Sequence, residues 1–375
     1  MQKNKLTAAV AVATTLAAAL IASAAAASVG KPQKSFLSRF HTITHLASMV
    51  PKAGPAKGDQ NPYGVAVVQR SVGKLVKGDV LVSNFNNSKN QQGTGSSIME
   101  VSPSGNAHVF AVVPRPTKAK AVGLTTALVE LPNGFVVVGS LPAPGGMSAN
   151  MTAGALTVLN SNGKVVKTLK GGDINGPWDM TAVGNGNKFT LFVTNVLNGT
   201  VAAAGKIVHR GTVVRIGVQT SGGNFTVTSN KVIAGGFSER TDPAALVVGP
   251  TGVGLGPNGT LYVAGAVANR IAAIPSAMTR TTKFKGAGIT VSKGHFLNDP
   301  LGLAIAPNGN IISMNGADGR AVETTPSGKQ TAKTLMKNGA GDLFGLAIAP
   351  KGNGVYFVND AGPPSPVANS LELLH

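Results

Sequence analysis

One phrase recurs along this chain, and its period constrains the fold more tightly than any other feature. It is a glycine-led apolar strand, a Pro-x-Gly turn, and a second β-rich strand ending near a small polar residue. The clearest copies read GLAIAPNGNIISMN at 302–315, GLAIAPKGNGVYFVN at 345–359 and GVGLGPNGTLYVA at 252–264. Weaker copies begin at Gly64, Gly123 and Asp179, so six copies open at intervals of 43 to 73 residues. Such intervals are too long for stacked helical or leucine-rich repeats and suit one four-stranded antiparallel blade of a propeller. The stretches 97–113 and 321–335 each place a Pro-Ser-Gly turn between two further strands, which completes a blade.

The chain ends predict how the ring closes. After Asn359 only one strand remains, about 369–374, so the sixth blade is one strand short. The alternating segment 40–48 is expected to fill that place, because a ring closed this way has no open seam. The fold read from sequence is all-β: a six-bladed β-propeller of four-stranded antiparallel blades over 40–375, closed by an N-terminal strand. The stretch DPLGLAIAPNGN at 299–310 resembles the NHL-repeat propellers, and the resemblance covers nearly everything after residue 40. The chain departs from that family's phrase at Ala306 and Ala349, where Asp commonly closes the first strand. These motifs are structural and specify function poorly.

Composition narrows the chemistry. The 375 residues include no cysteine, which excludes a disulfide framework, a thiolate metal site and a cysteine nucleophile. Scarce acids, 14 against 33 Lys plus Arg, give a net charge of +19. Residues 1–27 join Lys3 and Lys5 to a small, apolar run ending in three alanines, which reads as a signal peptide. The rival is an uncleaved anchor, since the apolar run at about 1.5 Å per residue could just span a bilayer core of about 30 Å. Residues 28–39 are then a flexible leader. The mature protein is expected in the periplasm or outside the cell, as a monomer without a transmembrane segment.

Strand alternation also predicts a functional face. The residues before each inner strand share a face with the loops after each second strand, and those loops are long at 86–96, 141–154 and 196–211. Inner-strand residues on that face are Asn61, Tyr63, Trp178, Asp179, Asn298, Asp299, Asp342 and Phe344. The oxygens of Asp179, Asn298, Asp299 and Asp342 form the kind of set that Ca²⁺ takes. The competing reading is that Asp and Asn before a strand bond their own backbone. Trp178 could stack a planar ligand or pack between blades. Lys118, Lys120 and Arg210 could meet an envelope polyanion, a glycan or a protein, or only keep the surface cationic. Nucleic acid is not expected, because export removes it and basic and aromatic residues are not interleaved.

Two functions remain open. One is a ligand- or partner-binding scaffold that uses Asn61, Tyr63, Trp178, Asp179, Lys118, Lys120 and Arg210. The other is similar to the gluconolactonase, paraoxonase and strictosidine synthase propellers, and that resemblance implies a channel metal polarising an ester or lactone carbonyl. Those families generally place a Glu at the ion, and no Glu precedes an inner strand here.

Overall fold

Six antiparallel sheets form a closed ring in the computed structural model, which describes residues 34–115, 121–337, 339–361 and 367–375. The expected signal peptide, together with Lys118 and Lys120, lies outside the described residues. Blade 1 comprises Gln60–Val67, Val80–Asn86, Ser97–Val101 and Ala107–Val112. Blade 2 comprises Leu124–Glu130, Val136–Ser140, Ala155–Leu159 and Val165–Lys170. Blade 3 comprises Pro177–Asn185, Lys188–Asn195, Val208–Ser221 and the long Asn224–Asp242, with a short fifth strand, Leu246–Val248. Blade 4 comprises Pro250–Leu255, Leu261–Gly265, Arg270–Ile274 and Ile289–Lys293. Blade 5 comprises Pro300–Ile305, Ile311–Asn315, Arg320–Thr324 and Gln330–Thr334.

Blade 6 closes the ring as the sequence predicts. Its strands Leu343–Ile348, Val355–Asn359 and Ser370–Leu374 are completed by Ile43–Ser48, with Ile43 opposite Leu374 and Ser48 opposite Ser370. The expected flexible leader is corrected at its C-terminal end. Phe36 and Leu37 are buried, and the Glu323 carboxylate accepts their N–H groups at 2.7 and 2.9 Å and the Ser35 hydroxyl at 2.5 Å. Glu323 lies near the end of the third strand of blade 5. Its counterpart in blade 1, Glu100, accepts the Val76 N–H at 3.0 Å from that blade's own long turn. The N-terminal strap thus occupies, in blade 5, a place that blade 1 fills from within.

The recurring glycine now has a physical cause. Strand pairing aligns Gly64, Thr126, Asp179, Gly252, Gly302 and Gly345 as the third residue from the start of the paired inner strand in Pro62, Leu124, Pro177, Pro250, Pro300 and Leu343 registers. A Cβ on Gly345 would collide with the Tyr63 carbonyl, and one on Gly302 with that of Phe344, because neighbouring inner strands run so close. Blade 2 therefore aligns through Thr126, three residues beyond the Gly123 that the sequence suggested. Where the glycine is replaced, the side chain reaches across the seam. Thr126 Oγ1 donates to the Trp178 carbonyl, and Asp179 accepts from Val253. Second strands such as Val80–Asn86 are buried throughout, whereas the outer Val165–Lys170 is mostly exposed. Apolar side chains on the inner three strands fill the space between blades.

Candidate functional site

The residue before Pro62, Leu124, Pro177, Pro250, Pro300 and Leu343 is Asn61, Gly123, Gly176, Gly249, Asp299 and Asp342 in turn. The carbonyls of the last five accept the N–H of Leu141, Val196, Ala266, Gly316 and Asp360, each just past the end of a second strand. Around the ring these positions divide. At the matching register, blades 1 to 3 hold the large side chains Phe85, Leu141 and Val196, and blades 4 to 6 hold Ala266, Gly316 and Asp360. The first side is filled and the second leaves a cavity.

The filled side is an aromatic and aliphatic plug. Tyr63 stacks between Phe85 and Phe344, with ring centroids at 4.4 and 4.1 Å, and Trp178 meets Tyr63 and Phe85 edge-on at 6.0 and 6.3 Å. Trp178 is 1% exposed, so the reading of it as a ligand-stacking residue at the mouth is corrected to packing between blades. The loop 141–154 joins this plug through buried Leu141, Ala143 and Met151 and does not line the cavity.

The cavity has a volume of 690 Å³, within the range of small-molecule sites. Its floor includes Tyr63, Phe344, Leu301 and Val248, and its walls include Asn61, Asn86, Gln92, Asp242, Asp299 and Asp360. Two loops hold the rim: the Gln92 amide donates to the Ala244 carbonyl at 2.6 Å, and Arg240 pairs with Asp242 at 2.7 Å. Asn61 and Asp299, at equivalent places in blades 1 and 5, both hold the left-handed backbone conformation, with φ of 60° and 54°. Asn and Asp tolerate it better than most residues. Asn61 donates its N–H to Asn369 Oδ1 at 2.5 Å, and Asp299 its own to Asn269 Oδ1 at 2.7 Å. The amide oxygens of Asn61, Asn86 and Gln92 are buried without a hydrogen-bond partner.

Electrostatics follow from this geometry. Burial, reinforced by Asp242 and opposed by Arg240, pushes the Asp299 carboxyl up to about 6. Burial, reinforced by Asp342, pushes Asp360 up to about 6. The Tyr63 phenol is raised well above its ordinary range by burial and by Asp360 and Asp299, so this one phenol lies within the field of both carboxylates.

The expected metal set is not brought together. Asp299 and the exposed Asn298 line the cavity, Asp342 stands outside its lining, and Asp179 belongs to a separate central channel of 320 Å³ that ends near Gln69 and Glu130. Burial raises Asp179 well above the usual carboxylate range, against the opposing effect of N–H bonds from Val253 and Met180. No group of three or more His, Cys, Asp or Glu among the described residues is placed to hold a metal ion. The residues therefore do not fit the carboxylate-rich Ca²⁺ site expected from sequence. Arg210 is exposed, does not line the cavity, and acts instead on buried Glu239. Asp360, Asn86 and Gln92 were missed as site residues. Asp360 is the one charge among the residues that follow the second strands, and that was the available signal.

No family model and no curated protein matches the chain. Solved propellers do, across most of their length. The PQQ-bound aldose sugar dehydrogenase of Streptomyces coelicolor aligns with 14% identity and a TM-score of 0.55, covering 88% of this chain and 97% of that one. A calcium-binding regucalcin of Agrobacterium tumefaciens aligns with 13% identity and a TM-score of 0.52, covering 88% and 95%. A putative gluconolactonase aligns with 13% identity and a TM-score of 0.50, covering 89% and 91%. At such identities the likeness establishes the six-bladed fold alone and does not single out the NHL-repeat propellers.

Proposed function

We propose that the loop-face cavity is the active site of a hydrolase acting on a small ester or lactone. The observation that carries this reading is the presence of two carboxyls near pH 6, Asp299 and Asp360, with Tyr63 in one cavity of substrate size. Pairs of titratable groups tuned toward the working pH are what acid–base catalysis requires. The likeness to a gluconolactonase fold favours the same class.

In this reading ionised Asp299 takes a proton from water as the water oxygen bonds to the carbonyl carbon. The acyl C–O bond then breaks, and protonated Asp360 gives its proton to the departing alkoxide oxygen. Asp299 later loses its proton to solvent and Asp360 regains one, so the site returns to its starting state. The neutral Tyr63 hydroxyl, placed among these groups, is a donor for the developing oxyanion. These steps use only side chains of this chain.

A binding role without turnover is the second reading, and it is favoured by the unpartnered amide oxygens, which need a ligand's donors whether or not a bond is broken. The test is hydrolysis of a panel of aryl acetates and five- and six-membered lactones by the purified chain. Turnover that peaks near pH 6 supports the enzyme, and saturable binding with no turnover supports the second reading.

A further inference from the structure

The cavity combines features that select one class of occupant. Its lining includes four charged side chains. Arg240 and Asp242 neutralise each other at 2.7 Å, and neither Asp299 nor Asp360 has an ion-pair partner among the described residues. The ionised cavity is therefore acidic within a chain whose net charge is +19. Independently of charge, Asn61 is 5% and Asn86 2% exposed, both line the cavity, and the amide oxygen of each lacks a donor. A buried acceptor left unpaired carries a desolvation cost, which a ligand N–H would recover. The floor, by contrast, is the Tyr63–Phe344 stack with Leu301 and Val248.

We infer that the substrate or ligand of this site is a small organic cation: a protonated amine carried on a compact apolar or aromatic body. The ammonium lies between Asp299 and Asp360, its N–H groups meet the Asn61 and Asn86 oxygens, and the apolar body rests on the aromatic floor. A neutral polyol would donate hydroxyls to the amide oxygens and the carboxylates alike but would bring no positive charge to offset the two carboxylates. An anion is opposed by both carboxylates. The inference rests on the cavity being the site, and it names the class of molecule that the proposed hydrolase or binder accepts.

Protonation gives the class a second signature. The titratable and charged groups facing the ammonium are Asp299, Asp360, Tyr63, Asp242 and Arg240, with Asp342 acting on Asp360. A cation favours the ionised carboxylates, so its affinity rises as pH rises through about 6.

The experiment compares phenethylamine with 2-phenylethanol, its neutral near-isostere, by calorimetry on the full chain at pH 7.5 and pH 5. Calcium chloride and sorbitol serve as further probes. The amine is expected to bind about tenfold or more tightly at pH 7.5, a difference near 1.4 kcal/mol, and to lose that preference at pH 5. Asp299→Asn combined with Asp360→Asn should abolish the preference through loss of amine affinity, and at pH 7.5 the double variant should melt no lower than the wild type, because both carboxylates are held ionised there against burial. Equal affinity for the two probes, or tighter binding of sorbitol or calcium, overturns the inference. Cation preference without ester turnover sinks the hydrolase reading alone, and ester turnover without cation preference sinks this inference alone.

Discussion

Asp179 Oδ2 accepts the backbone N–H of Val253 at 2.9 Å, tying the innermost strand of blade 3 to that of blade 4. The same ring position is glycine in four of the blades, so the side chain with the most metal-like sequence signal is a strut across a seam. Asp179→Ala should leave the Val253 N–H buried and unpaired and lower stability by about 1–3 kcal/mol. Asp179→Asn keeps an acceptor of the same shape and should lose much less, because burial already holds this carboxyl well above its usual range. Denaturant unfolding of the two variants checks this, and equal loss in both would count against the strut.

The N-terminal strap gives a second prediction. Glu323 gathers Ser35, Phe36 and Leu37 as well as the Asn310 amide at 2.6 Å, and these bonds hold it below the usual carboxylate range despite the opposing effect of burial. Glu323→Ala should expose residues 35–39 to limited proteolysis and cost about 1–3 kcal/mol. Removing residues 35–48 should cost more, since it also opens the edge of Ser370–Leu374. Unchanged melting of that truncation would contradict the closure.

The fold was legible because its determinants are local and repeated. Gly302 and Gly345 mark close strand approach, the Pro-x-Gly turns set hairpins, and the missing strand after Asn359 could be counted. The candidate site was only half legible. Asn61, Tyr63, Asn298 and Asp299 could be placed on one face from strand direction, and they do line one cavity. Asp179 could not be separated from them, because three residues along an inner strand carry a side chain from the mouth into the channel. For Trp178 the choice between stacking a ligand and packing between blades could not be made from sequence, because its burial depends on Tyr63, Phe85 and loop 141–154, which come from other parts of the chain.

That loop supplies a third prediction, opposite to what its length suggests. A long surface loop is ordinarily shortened at little cost, but here 141–154 contributes buried Leu141, Ala143 and Met151 to the plug. Met151→Ala should destabilise the chain by about 2–5 kcal/mol. Thermal unfolding checks it, and a neutral effect would show that the loop only covers the plug.

Stability should also depend on pH in a direction set by buried acids. Asp299 and Asp360 are raised to about 6, and Glu130 and Glu239 to about 7, each chiefly by burial. Below about pH 4 both folded and unfolded chains carry these protons. As pH rises, the unfolded chain releases them first, so these four groups make stability fall between about pH 4 and pH 7 and flatten above. Glu323 acts in the reverse sense only toward the acidic end of that window. Melting temperatures across pH 4 to 8 measure the sum, and a rise through this window would contradict the assignment.

The most direct test of the cavity as an active site is the pH–rate profile of ester or lactone hydrolysis in wild type, Asp299→Asn, Asp360→Asn and Asp179→Asn. A wild-type maximum near pH 6 is expected, where one carboxyl is ionised while the other is protonated. Either Asp299→Asn or Asp360→Asn should cut kcat/KM by about 10² or more without lowering the melting temperature, and Asp179→Asn should leave kcat/KM within about twofold. Activity that survives both cavity variants and disappears with Asp179→Asn would move the site into the central channel and contradict the account.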